Sequence, residues 1–136
     1  METIKIVGKE YPMSFSAMAA KKIAAKHGTI EKFVNELTNS DGTTEKNIDD
    51  IVEILELLIS QGCAYKNYFE KDVPAPENAP VIDGKWMPIP KEALEIALSI
   101  ADFDEVSEKI QLCVTKGKKQ KIETVENPKN AEAGQK

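Results

Sequence analysis

The chain has 136 residues, 41% of them hydrophobic and 30% charged, and a formal net charge of −5. This balance suits one globular domain. No apolar run approaches the roughly 20 residues a membrane-spanning helix needs, and residues 1–8 lack the basic start and apolar centre of a signal peptide, so the expectation is a cytoplasmic chain with no membrane partner.

In chain order, Thr3-Ile4-Lys5-Ile6-Val7 alternates, Gly8-Lys9 offers a two-residue turn, and Glu10-Tyr11-Pro12-Met13-Ser14-Phe15 alternates again. The pattern predicts a β-hairpin with Ile4, Ile6, Tyr11, Met13 and Phe15 on its apolar face. Pro12 has no N–H, so its strand must lie at an edge or turn that nitrogen outward. Two strands alone are marginal, and the hairpin is expected to pack on a helix. Ser16 is placed to cap an alanine-rich helix that ends at His27, with Gly28 as its left-handed C-cap. Thr29 caps a second helix over 30–37, in which Ile30, Phe33, Val34 and Leu37 follow the i, i+3, i+4, i+7 rule. Residues 38–44 form a polar loop rich in turn formers.

The strongest periodicity follows. Over 45–61, Ile48, Ile51, Val52, Leu55, Leu58 and Ile59 make one helical face, and Gly62 offers a stop. Ile54 and Leu57 fall outside that face, and such surplus apolar surface serves either burial on several sides or a subunit interface. Tyr65, Tyr68 and Phe69 come next, before a loop in which Pro74, Pro76 and Pro80 forbid regular helix. Residues 81–87 read as a small second hairpin around Asp83-Gly84, carrying the only tryptophan, Trp86. Pro90 suits the first turn of a helix over 91–101, with Leu94, Ala97, Leu98 and Ala101 inward and Ile96 and Ile100 broadening the stripe. Asp102 or Asp104 caps a last helix over about 105–114, with Val106, Ile110, Cys113 and Val114 inward, and Gly117 ends the fold.

The expected fold class is α+β, mostly α: an N-terminal hairpin packed on a bundle of about five helices over 1–117, with the small hairpin near 81–87. Residues 1–113 carry a charge of −8 and residues 114–136 carry +3. With few apolar side chains to offset the entropy of ordering it, 118–136 reads as a disordered lysine-rich tail.

Little in the sequence points to catalysis. All 18 basic residues are lysine, so the planar fork that reads guanine and clamps phosphates is missing, and the acidic balance further argues against nucleic acid as a partner. A helix-turn-helix reading of 19–37 fails on the same ground. Cys63 and Cys113 form no CxxC pair and read as reduced core or half-buried thiols, with no disulfide framework and no metal site. His27 sits at a helix end, where capping or surface exposure is its ordinary role. The paired acids Asp49-Asp50, Asp102-Asp104 and Glu92-Glu95 read as solvated faces or first-turn acids, and no phosphate-binding, nucleophile-elbow, zinc or calcium motif occurs. No cofactor and no small-molecule substrate are expected. Tyr65, Tyr68, Phe69 and Trp86 read either as a peptide-binding platform or as a satellite core beneath the proline loop.

The order of elements resembles the tail assembly chaperones of long-tailed bacteriophages and prophages of Gram-positive bacteria. The resemblance rests on the Ile4-Lys5-Ile6-Val7-Gly8-Lys9-Glu10-Tyr11-Pro12-Met13-Ser14-Phe15 hairpin, the alanine-rich helix ending in Lys26-His27-Gly28, and the later helix with Ile54-Leu55-Glu56-Leu57-Leu58-Ile59-Ser60-Gln61-Gly62 before an aromatic segment. It covers residues 3–114 and leaves the proline-rich segment with Trp86 unmatched. It implies a non-enzymatic helical protein in the host cytoplasm that binds and solubilises the tape measure protein, helps recruit tail tube subunits, self-associates, and is absent from the mature virion. The alternative is a generic interaction or adaptor protein. Ile54, Leu57, Ile96 and Ile100, with Tyr65, Tyr68 and Trp86, are the expected interface residues in either case.

Overall fold

The computed structural model describes residues 1–39 and 44–119. Two small antiparallel hairpins accompany five α-helices, in the order β1 (Glu2–Ile6), β2 (Lys9–Met13), α1 (Ala17–His27), α2 (Ile30–Asn39), α3 (Glu45–Phe69), β3 (Val81–Ile82), β4 (Lys85–Trp86), α4 (Lys91–Ala97) and α5 (Phe103–Lys119). A single 3-10 turn, Ile100–Asp102, precedes α5. The expected α+β class, the N-terminal hairpin, the hairpin near 81–87 and the five helices are all present.

The first turn falls at Val7-Gly8, one residue earlier than the sequence suggests, with Ile6 opposite Lys9 and Ile4 opposite Tyr11. Val7 (φ 48°) and Gly8 (φ 81°) are both left-handed, the type I′ geometry whose twist matches the strands. Shifting a two-residue turn by one position moves the pairing by two, so the apolar face keeps its members. Ile4, Ile6 and Met13 are buried in the core, and Tyr11 and Phe15 pack against it.

The backbone donors flanking Pro12 on the outer edge of β2 both have destinations. The Glu10 N–H donates to Asn78 O (3.0 Å) and the Ser14 N–H to Leu58 O (3.0 Å). Alternation along the strand therefore points the Pro12 nitrogen outward between them, as its missing donor requires.

The α3 helix is the centre of the fold, touching β2, α1, α4, α5 and β4. It does not stop at Gly62. It continues to Phe69 for a length of 25 residues, because Gly62 is a contact residue rather than a cap. A Cβ there would lie 2.2 Å from Pro12 O, so only glycine lets β2 cross the helix this closely. Gly117 likewise lies inside α5, against the ring of Phe15, and does not end the fold. The helix runs on to Lys119, so Lys118 and Lys119 belong to it rather than to the tail; 120–136 lies outside the described residues. Of the expected loop over 38–44, Thr38 and Asn39 complete α2, Thr44 caps α3 through Asn47 N–H, and 40–43 lies outside the described residues.

The expected helix over 91–101 breaks at Leu98, whose backbone is extended (ψ 146°). Ser99 and Asp102 cap each other's backbone: the Ser99 N–H donates to Asp102 Oδ2 at 2.8 Å. This Ser-x-x-Asp box starts a new helical segment, and α5 begins at Phe103, two residues before the expected start. Pro90 is the N-cap of α4 rather than its first helical residue, and the Lys91 N–H donates to Glu56 Oε2 of α3 at 2.7 Å.

Candidate functional site

The core along α3 ends at Cys63, but the helix continues for more than another turn. That extension carries Tyr65, Tyr68 and Phe69 past the packed interior. The rings of Tyr65 and Phe69 meet at a tilt with centroids 5.2 Å apart, and those of Tyr68 and Phe69 at 6.1 Å. Tyr68 is 76% exposed, Phe69 74% and Tyr65 42%. A contiguous apolar patch left open on a folded body marks an interaction surface.

Downstream, the chain turns at Glu70, crosses the proline-rich loop, and returns as the β3–β4 hairpin. Asn67 fixes that return. Its Nδ2 donates to Trp86 O at 3.0 Å and its Oδ1 accepts the Trp86 N–H at 2.9 Å, so one side chain satisfies both backbone groups of Trp86. Asp83 (φ 54°) and Gly84 (φ 80°) make a second type I′ turn. Between the end of α3 and this hairpin lies an open cleft of about 700 Å³, with Tyr68, Val73 and the half-buried Trp86 among its apolar walls. Lys66 lies 5.4 Å from the Trp86 ring and 2.8 Å from Glu70 Oε1. The structure thus brings Tyr68 and Trp86 to one cleft, with Trp86 also packed against the core, while the exposed Tyr65 lines a separate groove with Phe15 and Gly117.

The remaining expected interface residues do not join them. Ile54 is only 4% exposed and belongs to the core, which corrects its assignment to an interface: α3 is packed on several sides, so a second apolar stripe is needed inside. Leu57 is half-buried against the core beside a groove that it shares with Ile54 and Pro88 to Pro90. Ile96 (80% exposed) and Ile100 (56%) lie on α4 and the 3-10 turn, clear of the core.

His27 is buried rather than at the surface. Its Nδ1 donates to Glu36 Oε1 at 2.7 Å and its ring packs 5.0 Å from that of Phe33, tying α1 to α2, while Nε2 has no partner among the described residues. Glu92, Glu95 and Asp104 are exposed, with Glu92 and Asp104 in first turns, as expected, whereas Asp49, Asp50 and Asp102 are engaged within the fold. Asp50 pairs with Lys26 (3.2 Å) and Lys46 (2.8 Å), Asp49 with Lys91 (2.6 Å), and Asp102 closes the Ser99 box. Burial tends to raise the Asp50 carboxyl, but the hydrogen bonds from Lys46 and Lys26 outweigh it and hold the group below the usual carboxylate range. Among the described residues no cluster of His, Cys, Asp and Glu could hold a metal ion, and no helix is long and apolar enough to cross a membrane. The exposed face of α2 carries Glu31, Lys32, Asn35 and Glu36, a mixed set unlike the basic recognition helix of a DNA reader.

Both cysteines are buried and free, and burial pushes each thiol up to about 11. Against an ordinary exposed thiol at 9.0, this lowers the thiolate fraction at pH 8 about a hundredfold. The folded chain is therefore expected to resist Ellman's reagent at pH 8 for minutes, and to titrate two thiols at once in 6 M guanidinium. Fast reaction of either thiol in the native protein would contradict the burial.

The sequence reading missed Asn67, Val73, Lys71 and Lys85 as parts of this surface. Extending the helix past Gly62 would have shown Tyr65, Tyr68 and Phe69 at i, i+3, i+4 spacing on one face. Comparison of the chain with known protein families, with curated proteins and with solved structures finds no match.

Proposed function

We propose that the chain is a non-enzymatic interaction protein that covers an apolar segment of a larger partner. The observation that carries this reading is the exposed aromatic surface of Tyr65, Tyr68 and Phe69 beyond the core. The last turn of the central helix carries Tyr65, Tyr68 and Phe69 as exposed side chains beyond the packed interior. In its specific form, which rests on the sequence resemblance, the reading is a phage tail assembly chaperone: a host-cytoplasmic protein, self-associating and absent from the mature virion, that solubilises the tape measure protein and helps recruit tail tube subunits.

The test is co-expression with the product of the long, helix-rich gene expected downstream, followed by pull-down and light scattering. A soluble complex holding several copies of this chain is the expected result. If the long partner stays insoluble while this chain remains free, the chaperone form fails and the adaptor reading takes its place.

A further inference from the structure

We propose that the cleft between the end of α3 and the β3–β4 hairpin is the docking site for an acidic amphipathic helix of a partner protein. The helix lays its apolar stripe on Tyr68, Val73 and Trp86 and sets its carboxylates on Lys71 and Lys85. The inference rests on the interaction reading above and gives that reading a surface and a partner chemistry.

Charge is the first argument. The cleft is lined by Lys66, Lys71 and Lys85 and by one carboxylate, that of Glu70. Lys66 is already committed, with Glu70 at 2.8 Å and the Trp86 ring at 5.4 Å. Lys71 and Lys85 are exposed and have no ion-pair partner among the described residues, and the neighbouring acids Asp72 and Asp83 do not line the cleft. A chain whose first 113 residues carry −8 therefore presents a locally cationic mouth around an aromatic wall. Potentials of opposite sign select the partner and speed its encounter.

Backbone bonding is the second. A strand adding to the hairpin would need unpaired N–H and C=O groups on its edge, but both backbone groups of Trp86 on this side are taken by the Asn67 amide. The cleft thus offers side chains and no free ladder. Such a surface suits an occupant that satisfies its own backbone, as a helix does, with anchors at i, i+3, i+4 and i+7. The same two hydrogen bonds hold the Trp86 wall in place before binding, which lowers the ordering cost on association.

The probe is a fluorescein-labelled 18-residue helical peptide with a leucine stripe flanked by glutamates, compared with a twin carrying lysines at the flanks. Anisotropy titration of the full chain at 50 mM salt is expected to show the glutamate peptide binding about tenfold more tightly, two surface ion pairs supplying that factor. The gap narrows at 300 mM salt through screening. The double variant Lys71→Glu/Lys85→Glu should reverse the preference, and Tyr68→Ser should weaken both peptides. All three positions are exposed, and circular dichroism checks that each variant stays folded. Equal affinity for the two peptides, or binding of neither, overturns the proposal. So does a concentration-dependent doubling of mass that Tyr68→Ser abolishes, which would assign the cleft to a second copy of this chain. Failure of the tape measure co-purification with intact selectivity for the glutamate peptide would leave the cleft standing and change only its partner.

Discussion

Gly62→Ala is expected to destabilise the chain by about 3 kcal/mol, a fall of roughly 10 °C in Tm, although it puts the best helix former in the middle of a helix. In an exposed helix interior the same change would gain about 1 kcal/mol. Here the new methyl carbon would sit 2.2 Å from Pro12 O and 2.8 Å from Met13 N. These are backbone atoms, and the strand that carries them is tied on either side by the Glu10 and Ser14 N–H bonds to Asn78 and Leu58. Relief therefore requires moving β2 and those bonds together. Urea unfolding should show a lower midpoint at unchanged m. Gly117→Ala supplies the contrast. Its Cβ would meet Phe15 Cδ2 at 2.6 Å and Phe15 Cβ at 2.7 Å; rotating the half-buried ring relieves the first contact but not the second, so Phe15 must also shift slightly, and with the gain in helix propensity the loss should be about 1 kcal/mol, well below that of Gly62→Ala. Equal losses in the two variants would refute the distinction between a backbone contact and a side-chain one.

Gly62 also shows where sequence reasoning stops. Periodicity identifies Ile48, Ile51, Val52, Leu55, Leu58 and Ile59 as one stripe, because an inward-facing set must repeat with the helical turn; all but Ile48 are buried in the core, and Ile48 is half-buried against it. Capping residues are equally local: Ser16 and Thr29 stand where side-chain chemistry places them, and Gly28 follows α1 at positive φ. A glycine required by a strand 50 residues earlier carries no local mark that separates it from a C-cap glycine. The burial of Ile54 is hidden for the same reason, since a second apolar stripe looks alike whether it faces a neighbouring element or a second molecule. The aromatic surface followed from this single misreading. With α3 ended at Gly62, Tyr65, Tyr68 and Phe69 belong to a loop and share no face. With α3 continued, they become one side of a helix end, and Asn67 between them becomes the residue that holds Trp86. Lys71 and Lys85 gain meaning only once the hairpin has folded back.

Leu58→Ala should cost about 3 kcal/mol, whereas Leu57→Ala, one residue earlier on the same helix, should cost about 1 kcal/mol. Neighbours on a helix point about 100° apart, and these two meet different surroundings. Leu58 is fully buried, and its carbonyl receives the Ser14 N–H, so it stands where β2 meets α3. Removing its side chain leaves a cavity between two elements that are held in place by hydrogen bonds and cannot close over it. Leu57 is half-buried beside a groove open to solvent, where water replaces a truncated side chain and part of its apolar area was exposed already. The pair therefore separates core from surface within a single turn. Thermal unfolding of the two variants should differ by roughly 7 °C. If Leu57→Ala instead costs as much as Leu58→Ala, the groove closes in solution, and Leu57 is core on the same terms as its neighbour. If Leu57→Ala leaves Tm near that of the parent yet weakens capture of a client, the groove between α3 and the Pro88 to Pro90 segment takes part in binding, and the aromatic cleft is one of two contact regions on the same helix.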